Sequence, residues 1–235
     1  MLPIAILAGG LATRLGQITK NIPKSLIKIN GKPFINWQLD LLKEYGYKNF
    51  VLCLSHKSEL IIEHLGDGSR FGININYSLD GNNQLGTGGA IKKALPLLGE
   101  NFAVIYGDSY LPINYTKLES AFLNSKSLGL MTVFRNANKF DTSNVKFLNN
   151  RIVGYNKSGS DTDMEFIDYG ITYFKSEAFR TKYLDEPFDL AKLLSELSFA
   201  QKLDGFEVFN RFYEIGSIQG IQELSIYLKG FQNEF

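Results

Sequence analysis

The chain has 235 residues, 44% of them hydrophobic, which suits one large domain, or one domain with a small appendage, built on a sizeable core. Its 25 Lys and Arg against 24 Asp and Glu leave a net charge of +1, so bulk electrostatics argues for neither nucleic acid nor a membrane as partner. One cysteine excludes an intrachain disulfide, His56 and His64 stand outside metal-ligand spacing, and the absence of a basic n-region or long apolar stretch leads us to expect a cytoplasmic protein.

Leu2 to Leu7 is a short apolar run that reads as a buried strand breaking into Gly9-Gly10. Bare backbone there lets N–H groups close on a phosphate, and Arg14 adds a positive fork. Lys24, behind Pro23, offers a second cation. The alternative is a plain strand and turn with a surface arginine. A Walker loop is excluded, because Gly31-Lys32 is followed by Pro33, and the G-x-G-x-x-G fingerprint fails from both Gly9 and Gly86. A helix is expected from Pro33, a favourable first-turn residue, to Gly46, with Phe34, Trp37, Leu41, Leu42 and Tyr45 on its apolar face. Phe50–Leu54 is the second strand, and its Cys53 reads as a buried thiol rather than a nucleophile. A helix over Ser58–Leu65, a strand over Ile73–Tyr77, a helix over Gly88–Leu98 and a strand over Phe102–Tyr106 follow. The alternation predicts a parallel sheet with helices on both faces, and ligands beyond the C-terminal strand ends.

The second half changes character. A helix over Tyr115–Leu123 precedes strands over Leu128–Phe134, Asn144–Leu148, Arg151–Tyr155 and Phe166–Phe174, with Asn149-Asn150 as a hairpin turn. Lys157–Asp163 reads as a loop, Phe188–Phe199 as a helix, Gly205–Phe209 as a strand, and Ile218–Leu228 as a closing helix. The apolar face of that last helix either packs inward or serves a homodimer.

Three further stretches carry candidate chemistry. Gln84-Leu85-Gly86-Thr87-Gly88-Gly89-Ala90 lies between strand and helix, where glycines let a flat ring or sugar approach and a helix start favours an anion; the alternative is a flexible loop capped by Thr87. Asp80, Asn82 and Asn83 precede it, and a carboxylate such as Asp80 suits the N1–H and N2–H donors of guanine. Asp108, after a buried strand and Gly107, is either a metal carboxylate or a turn residue.

The string Leu7-Ala8-Gly9-Gly10-Leu11-Ala12-Thr13-Arg14-Leu15, followed by Pro23-Lys24, resembles the L-A-G-G-x-x-T-R-L and P-K signature of the sugar-1-phosphate nucleotidylyltransferases. Leu85-Gly86-Thr87 and Gly107-Asp108 are similar to two further elements of that family, and the match keeps its order along the chain to about residue 228. The resemblance implies an α/β, three-layer Rossmann-like fold of GT-A-like type, with a mixed, mainly parallel sheet and a β-rich sugar-binding lobe. It implies a nucleotide-binding half over 1–110 and a sugar-phosphate half over 111–235 of a single domain.

By the same resemblance, Leu7, Ala8, Gly9, Gly10, Thr13, Arg14, Asp80, Asn83, Gly86, Thr87 and Gly88 would bind the nucleotide. Arg14, Lys24 and Asp108 would be catalytic, with Asp108 as first ligand of Mg²⁺, for which Mn²⁺ could stand in. Phe212-Tyr213-Glu214-Ile215-Gly216-Ser217 stands in place of a W-x-D-I-G-T string, making Glu214 the second ligand or else a turn carboxylate. Tyr106, Asn156, Lys157, Asp168, Tyr169 and Gly170 would meet the sugar phosphate; taken alone, Lys157 reads as a solvated loop lysine. Asn156 and Asp168 replace residues usual at those positions, a Glu and an Asn. The implied reaction joins an NTP, GTP first, to a sugar 1-phosphate, and heptose 1-phosphate guanylyltransferases look nearest. Cytidylyl or uridylyl transfer to another acceptor, and a non-catalytic nucleotide-sugar sensor, are the rival readings.

Overall fold

The computed structural model describes residues 1–10, 15–16, 19–81, 84–159, 163–180 and 187–232. Thr13, Arg14, Asn82 and Asn83 lie outside them. The first half contains β1 (Ile4–Leu7), β2 (Lys28–Ile29), β3 (Lys32–Pro33), α1 (Phe34–Glu44), β4 (Asn49–Leu54), α2 (Ser58–Leu65), β5 (Asn74–Leu79), α3 (Gly86–Leu98), β6 (Asn101–Tyr106) and β7 (Ser109–Tyr110). The second contains α4 (Tyr115–Asn124), β8 (Gly129–Arg135), β9 (Val145–Leu148), β10 (Arg151–Tyr155), β11 (Phe166–Lys175), α5 (Leu190–Phe199), β12 (Leu203–Val208), β13 (Tyr213–Glu214) and α6 (Ile218–Gln232).

Nine strands form one sheet in the order β5-β4-β1-β6-β11-β8-β12-β10-β9. β5, β4, β1 and β6 run parallel, as the strand–helix alternation predicts. β11 then runs antiparallel to both β6 and β8, and β12 lies parallel to β8. β10 and β9 close the far edge antiparallel. The sheet is therefore mixed, and the β-rich second half continues it.

Period-two alternation along β1 sends Ile4 and Ile6 to one face and Ala5 and Leu7 to the other. Side chains of α1, α2 and α4 fill the first face, and those of α3 and α5 the second, which makes three layers. A smaller core joins Ile27, Ile29, Phe34 and Tyr110 to Ile215, Leu224 and Leu228. The closing helix thus packs its apolar face inward, and Asn30 holds it to the β2–β3 hairpin by accepting from the Ser225 hydroxyl at 2.6 Å. Among the described residues no helix is long and apolar enough to cross a membrane.

Several local expectations shift. Pro33 is the residue before α1 and pairs with Lys28; its φ of −54° and ψ of 141° keep it out of the helix and serve the hairpin. The fully buried side of α1 carries Gln38 with Phe34, Ile35, Leu39 and Leu42, while Trp37 and Leu41 are half-buried and pack on the smaller core. Asn149 and Asn150 both take positive φ, 50° and 60°, as a two-residue hairpin turn requires.

Candidate functional site

A cavity of about 460 Å³ opens beyond the C-terminal ends of β1, β4 and β6. Of the expected residues, Leu7, Ala8, Gly9, Gly10, Lys24, Asp80, Gly86, Thr87, Tyr106 and Asp108 line it, joined by Ser25, Cys53, Ser55, Gln84, Ala90 and Gly107. Parallel strands place ligands at this end, where loops of neighbouring strands diverge. Backbone contacts decide why glycines stand here. A Cβ on Gly9 would lie 3.0 Å from the backbone nitrogen of Ser55, while Gly10 faces open space. A Cβ on Gly107 would lie 2.7 Å from the carbonyl oxygen of Leu7, to which the Gly107 N–H donates at 2.9 Å. The two strand ends are locked together, and Gly10 offers bare backbone beside them.

Lys24 and Asp108, 84 residues apart in the chain, meet at this cavity. The Lys24 ammonium donates to Asp108 Oδ2 at 2.9 Å, with both side chains partly exposed. Such a pair contributes little to stability, because solvent screens it. Its chemical value is that both members can change partners: the ammonium to a phosphate oxygen, the carboxylate to a hard divalent cation. Cys53 lies at the same cavity, its thiol donating to the Ala90 carbonyl at 3.8 Å. Burial, with Asp80 nearby, pushes the thiol up to about 12, so it stays protonated and is no nucleophile.

The second glycine cluster works differently from expectation. A Cβ on Gly88 would fall 2.1 Å from the ring of Phe188, and one on Gly86 would fall 2.4 Å from the Phe188 carbonyl oxygen. That carbonyl accepts from the N–H groups of Gly88 at 3.0 Å and Gly89 at 3.3 Å. Gly88 is therefore glycine to admit a side chain of this chain, not a ligand ring, and the start of α3 spends those two donors on Phe188 rather than on an anion. Gly86 and Thr87 still face the cavity. Thr87 does not cap its own helix: its hydroxyl accepts from Leu190 N at 2.8 Å and donates to Asp189 at 3.1 Å. Asp80 accepts from Leu85 N at 3.3 Å, and burial raises its carboxyl above the usual range.

The elements expected at the sugar phosphate divide. Asp168 is half-buried; burial pushes its carboxyl up to about 6 against the lowering effect of the Gly170 N–H and Lys157. The Gly170 N–H donates to Asp168 Oδ1 at 3.0 Å, and Gly170 has φ +111°, a conformation that favours glycine. Tyr169 points to the other face of β11. Its ring is 1% exposed and packs edge-on against Phe212, so it belongs to the core and its side chain cannot meet a sugar. Asn156 accepts from Ser158 N at 3.1 Å within its own turn. Lys157 pairs with Asp189. Tyr106 joins the two sets: burial raises its phenol, and Asp168, Asp189 and Asp108 add to the effect.

A model of the nucleotidyl transferase family matches residues 4–187. The chain belongs to the nucleotidyl transferase family. It is 40% identical over 136 residues to a D-glycero-alpha-D-manno-heptose 1-phosphate guanylyltransferase of Campylobacter jejuni, a match covering 58% of each chain. It is 29% identical over 214 residues to one from Aneurinibacillus thermoaerophilus, covering 90% of this chain and 91% of the relative. Uridylyltransferases are also among its relatives. The chain spans about half the length of the first two curated relatives it matches. A Bacillus anthracis structure, described as a glucose-1-phosphate thymidylyltransferase, superposes with TM-score 0.85 at 18% identity, covering 97% of this chain and 95% of that one; it supports the GT-A-like fold alone.

In this member of the family, β13 pairs with β7 so that Glu214 stands opposite Ser109, and Ile215 N donates to the Asp108 carbonyl at 3.0 Å. The second expected metal carboxylate is thus brought next to the first along the backbone, though Glu214 does not line the cavity. Among the described residues no group of three or more His, Cys, Asp or Glu could hold a metal. Carboxylates are donors that Mg²⁺ takes one or two of, with its other ligands from phosphates and water, and of these two Asp108 is the one that lines the cavity. Sequence reasoning missed Asp189. It caps α5 by accepting from Ala191 N at 2.9 Å and also accepts from Thr87 and Lys157. Burial would raise its carboxyl, but those hydrogen bonds outweigh burial and hold it low. Its one sequence signal was the N-cap position before an apolar helix.

Proposed function

We propose that this nucleotidyl transferase condenses an NTP, GTP first, with a heptose or hexose 1-phosphate, releasing pyrophosphate and an NDP-sugar for cell-surface polysaccharide, in the cytoplasm. The observation that carries the reading is the Lys24–Asp108 pair at a cavity floored by Gly9-Gly10 and Gly107. Among the described residues, those that line the cavity all fall within 1–110, which supports assigning that half to the nucleotide and 111–235 to the sugar phosphate, through Asp168, Gly170, Asn156 and Lys157.

A phosphate oxygen of the sugar phosphate attacks the α-phosphorus in line. The new P–O bond forms as the bond to the β-phosphate oxygen breaks, and pyrophosphate leaves with the electron pair. Both nucleophile and leaving group come from the substrates, so the protein supplies positioning and charge. Lys24 exchanges Asp108 for the α-phosphate and the attacking phosphate. Arg14 neutralises the departing pyrophosphate. Asp108 and Glu214 would hold Mg²⁺ or Mn²⁺, whose charge, when bound, offsets that of the phosphates. Asp80 reads the base: it lines the cavity, and a carboxylate suits the two N–H donors of guanine.

Pyrophosphate release measured over a panel of NTPs and sugar 1-phosphates, with and without EDTA, tests this. Turnover fastest with GTP, abolished by EDTA and restored by Mg²⁺, is expected. Faster turnover with UTP or CTP overturns the guanine reading and keeps the reaction; no release with any pair overturns the reaction and favours a nucleotide-sugar sensor.

A further inference from the structure

Gln38 lies on the buried side of α1, 1% exposed, in a row with Phe34, Ile35, Leu39 and Leu42. Its side-chain nitrogen donates to the carbonyl of Tyr106 at 2.9 Å and to that of Ser109 at 2.7 Å. These are the first and last residues of the turn Tyr106-Gly107-Asp108-Ser109. Two carbonyl acceptors consume both amide hydrogens and fix the orientation of the amide, since the opposite flip would set oxygen against oxygen. The Gln38 Oε1 is left buried without a hydrogen-bond partner. An orphaned buried oxygen is costly, and an apolar side chain on this face of α1 would avoid the cost. The two inner residues of the turn are tied from elsewhere: Gly107 N donates to the end of β1, and the Asp108 carbonyl accepts from Ile215 N. All four residues of the turn are thus held through their backbone, and the Asp108 carboxylate faces Lys24.

We infer that Gln38 is a positioning residue: by stapling both ends of this turn it holds the Asp108 carboxylate at the cavity. Its effect on turnover rests on the proposed activity; its effect on the turn rests on the backbone geometry alone. Gln38→Met keeps the volume and removes both donors, and Gln38→Asn, too short to bridge both carbonyls, repeats the test should the Met variant not fold. Amide hydrogen exchange should accelerate by about tenfold or more in a peptide spanning 102–110, while a peptide spanning 34–44 stays within about twofold of the wild type. With substrates, kcat should fall about 10- to 100-fold with the nucleotide KM within about threefold, since the carboxylate is displaced rather than removed. Added to Asp108→Asn, Gln38→Met should cost less than about a further twofold, because one residue acts through the other. Unchanged exchange in the turn, equal loss of protection in α1, or a full independent loss in the Asp108→Asn background each overturns the inference. Absence of pyrophosphate release by the wild type would defeat the proposed activity and leave the exchange result to decide the role of Gln38.

Discussion

Replacing Gly88 by alanine sets two effects of opposite sign against each other. Within a helix alanine is favoured over glycine by at most about 1 kcal/mol on propensity, and Gly88 stands in the first turn of α3. Against this, the added methyl would stand 2.1, 2.5 and 2.7 Å from three carbons of the Phe188 ring. The ring cannot simply retreat. Phe188 is 8% exposed, its N–H donates to the Leu85 carbonyl at 3.0 Å, and its own carbonyl holds Gly88 and Gly89. Overpacking a site with so little give lies at the upper end of the usual cost, about 3 kcal/mol, so Gly88→Ala should destabilise by about 2 kcal/mol net. For a chain of this size that lowers Tm by about 4–8 °C. In a Phe188→Leu background the clash is relieved, and the same change should become neutral or stabilising. Thermal unfolding of the four proteins of this cycle reads both results. A Gly88→Ala protein as stable as the wild type, or more so, would refute the packing account and return Gly88 to the role of a ligand-approach glycine.

Lys24→Ala should lower the pyrophosphate-release rate by about 10²-fold or more through loss of a charge at the transition state, while Tm stays within a few degrees because the Asp108 pair is solvent-screened; a near wild-type rate would remove Lys24 from the chemistry. Asp168 is held up to about 6, above its unfolded value, so stability falls as pH rises through about 4 to 6 and the burial penalty is complete above that window. Asp168→Asn, which still accepts from Gly170 N, should therefore raise Tm at pH 8 and lose that gain by pH 4; a gain independent of pH would contradict the assignment. Glu214→Gln should raise the Mg²⁺ requirement strongly, whereas unchanged Mg²⁺ dependence in both Glu214→Gln and Glu214→Asp would leave Glu214 a structural role. Asp80→Ala should narrow the preference for GTP over ATP, by about 1–3 kcal/mol for each buried donor left unpaired.

What the sequence made legible was local. The apolar run ending in Gly9-Gly10, the Asn149-Asn150 turn and the carboxylate two residues beyond a buried strand each declare themselves within a few residues, because period, backbone freedom and turn chemistry act over that range. It was the family resemblance, not these rules, that put Tyr169 at the sugar phosphate; alternation along β11 puts its neighbours toward one face and its ring into the core. Pro33 could serve either as a first helical residue or as the end of a hairpin, and only the pairing with Lys28 decides it. The reason for Gly88 lies in Phe188, 100 residues later, and nothing around either residue announces the other. Gln38 left a faint trace, a polar residue at helical spacing among buried apolar ones, but its two acceptors belong to a turn some seventy residues away.

The position of β12 ties the completeness of the fold to the order of synthesis. Residues 203–208 pair along β8 from Leu203 with Gly129 to Val208 with Phe134, and they separate β8 from β10. A growing chain that has already made β8 and β11 therefore carries the apolar strand Leu130-Met131-Thr132-Val133-Phe134 with one side unpaired until about thirty further residues have emerged. Such an edge is a template for another chain's strand. The late arrival of six residues in the middle of the sheet makes the interval before their emergence the period when this protein is most exposed to misassembly with its neighbours on the same message.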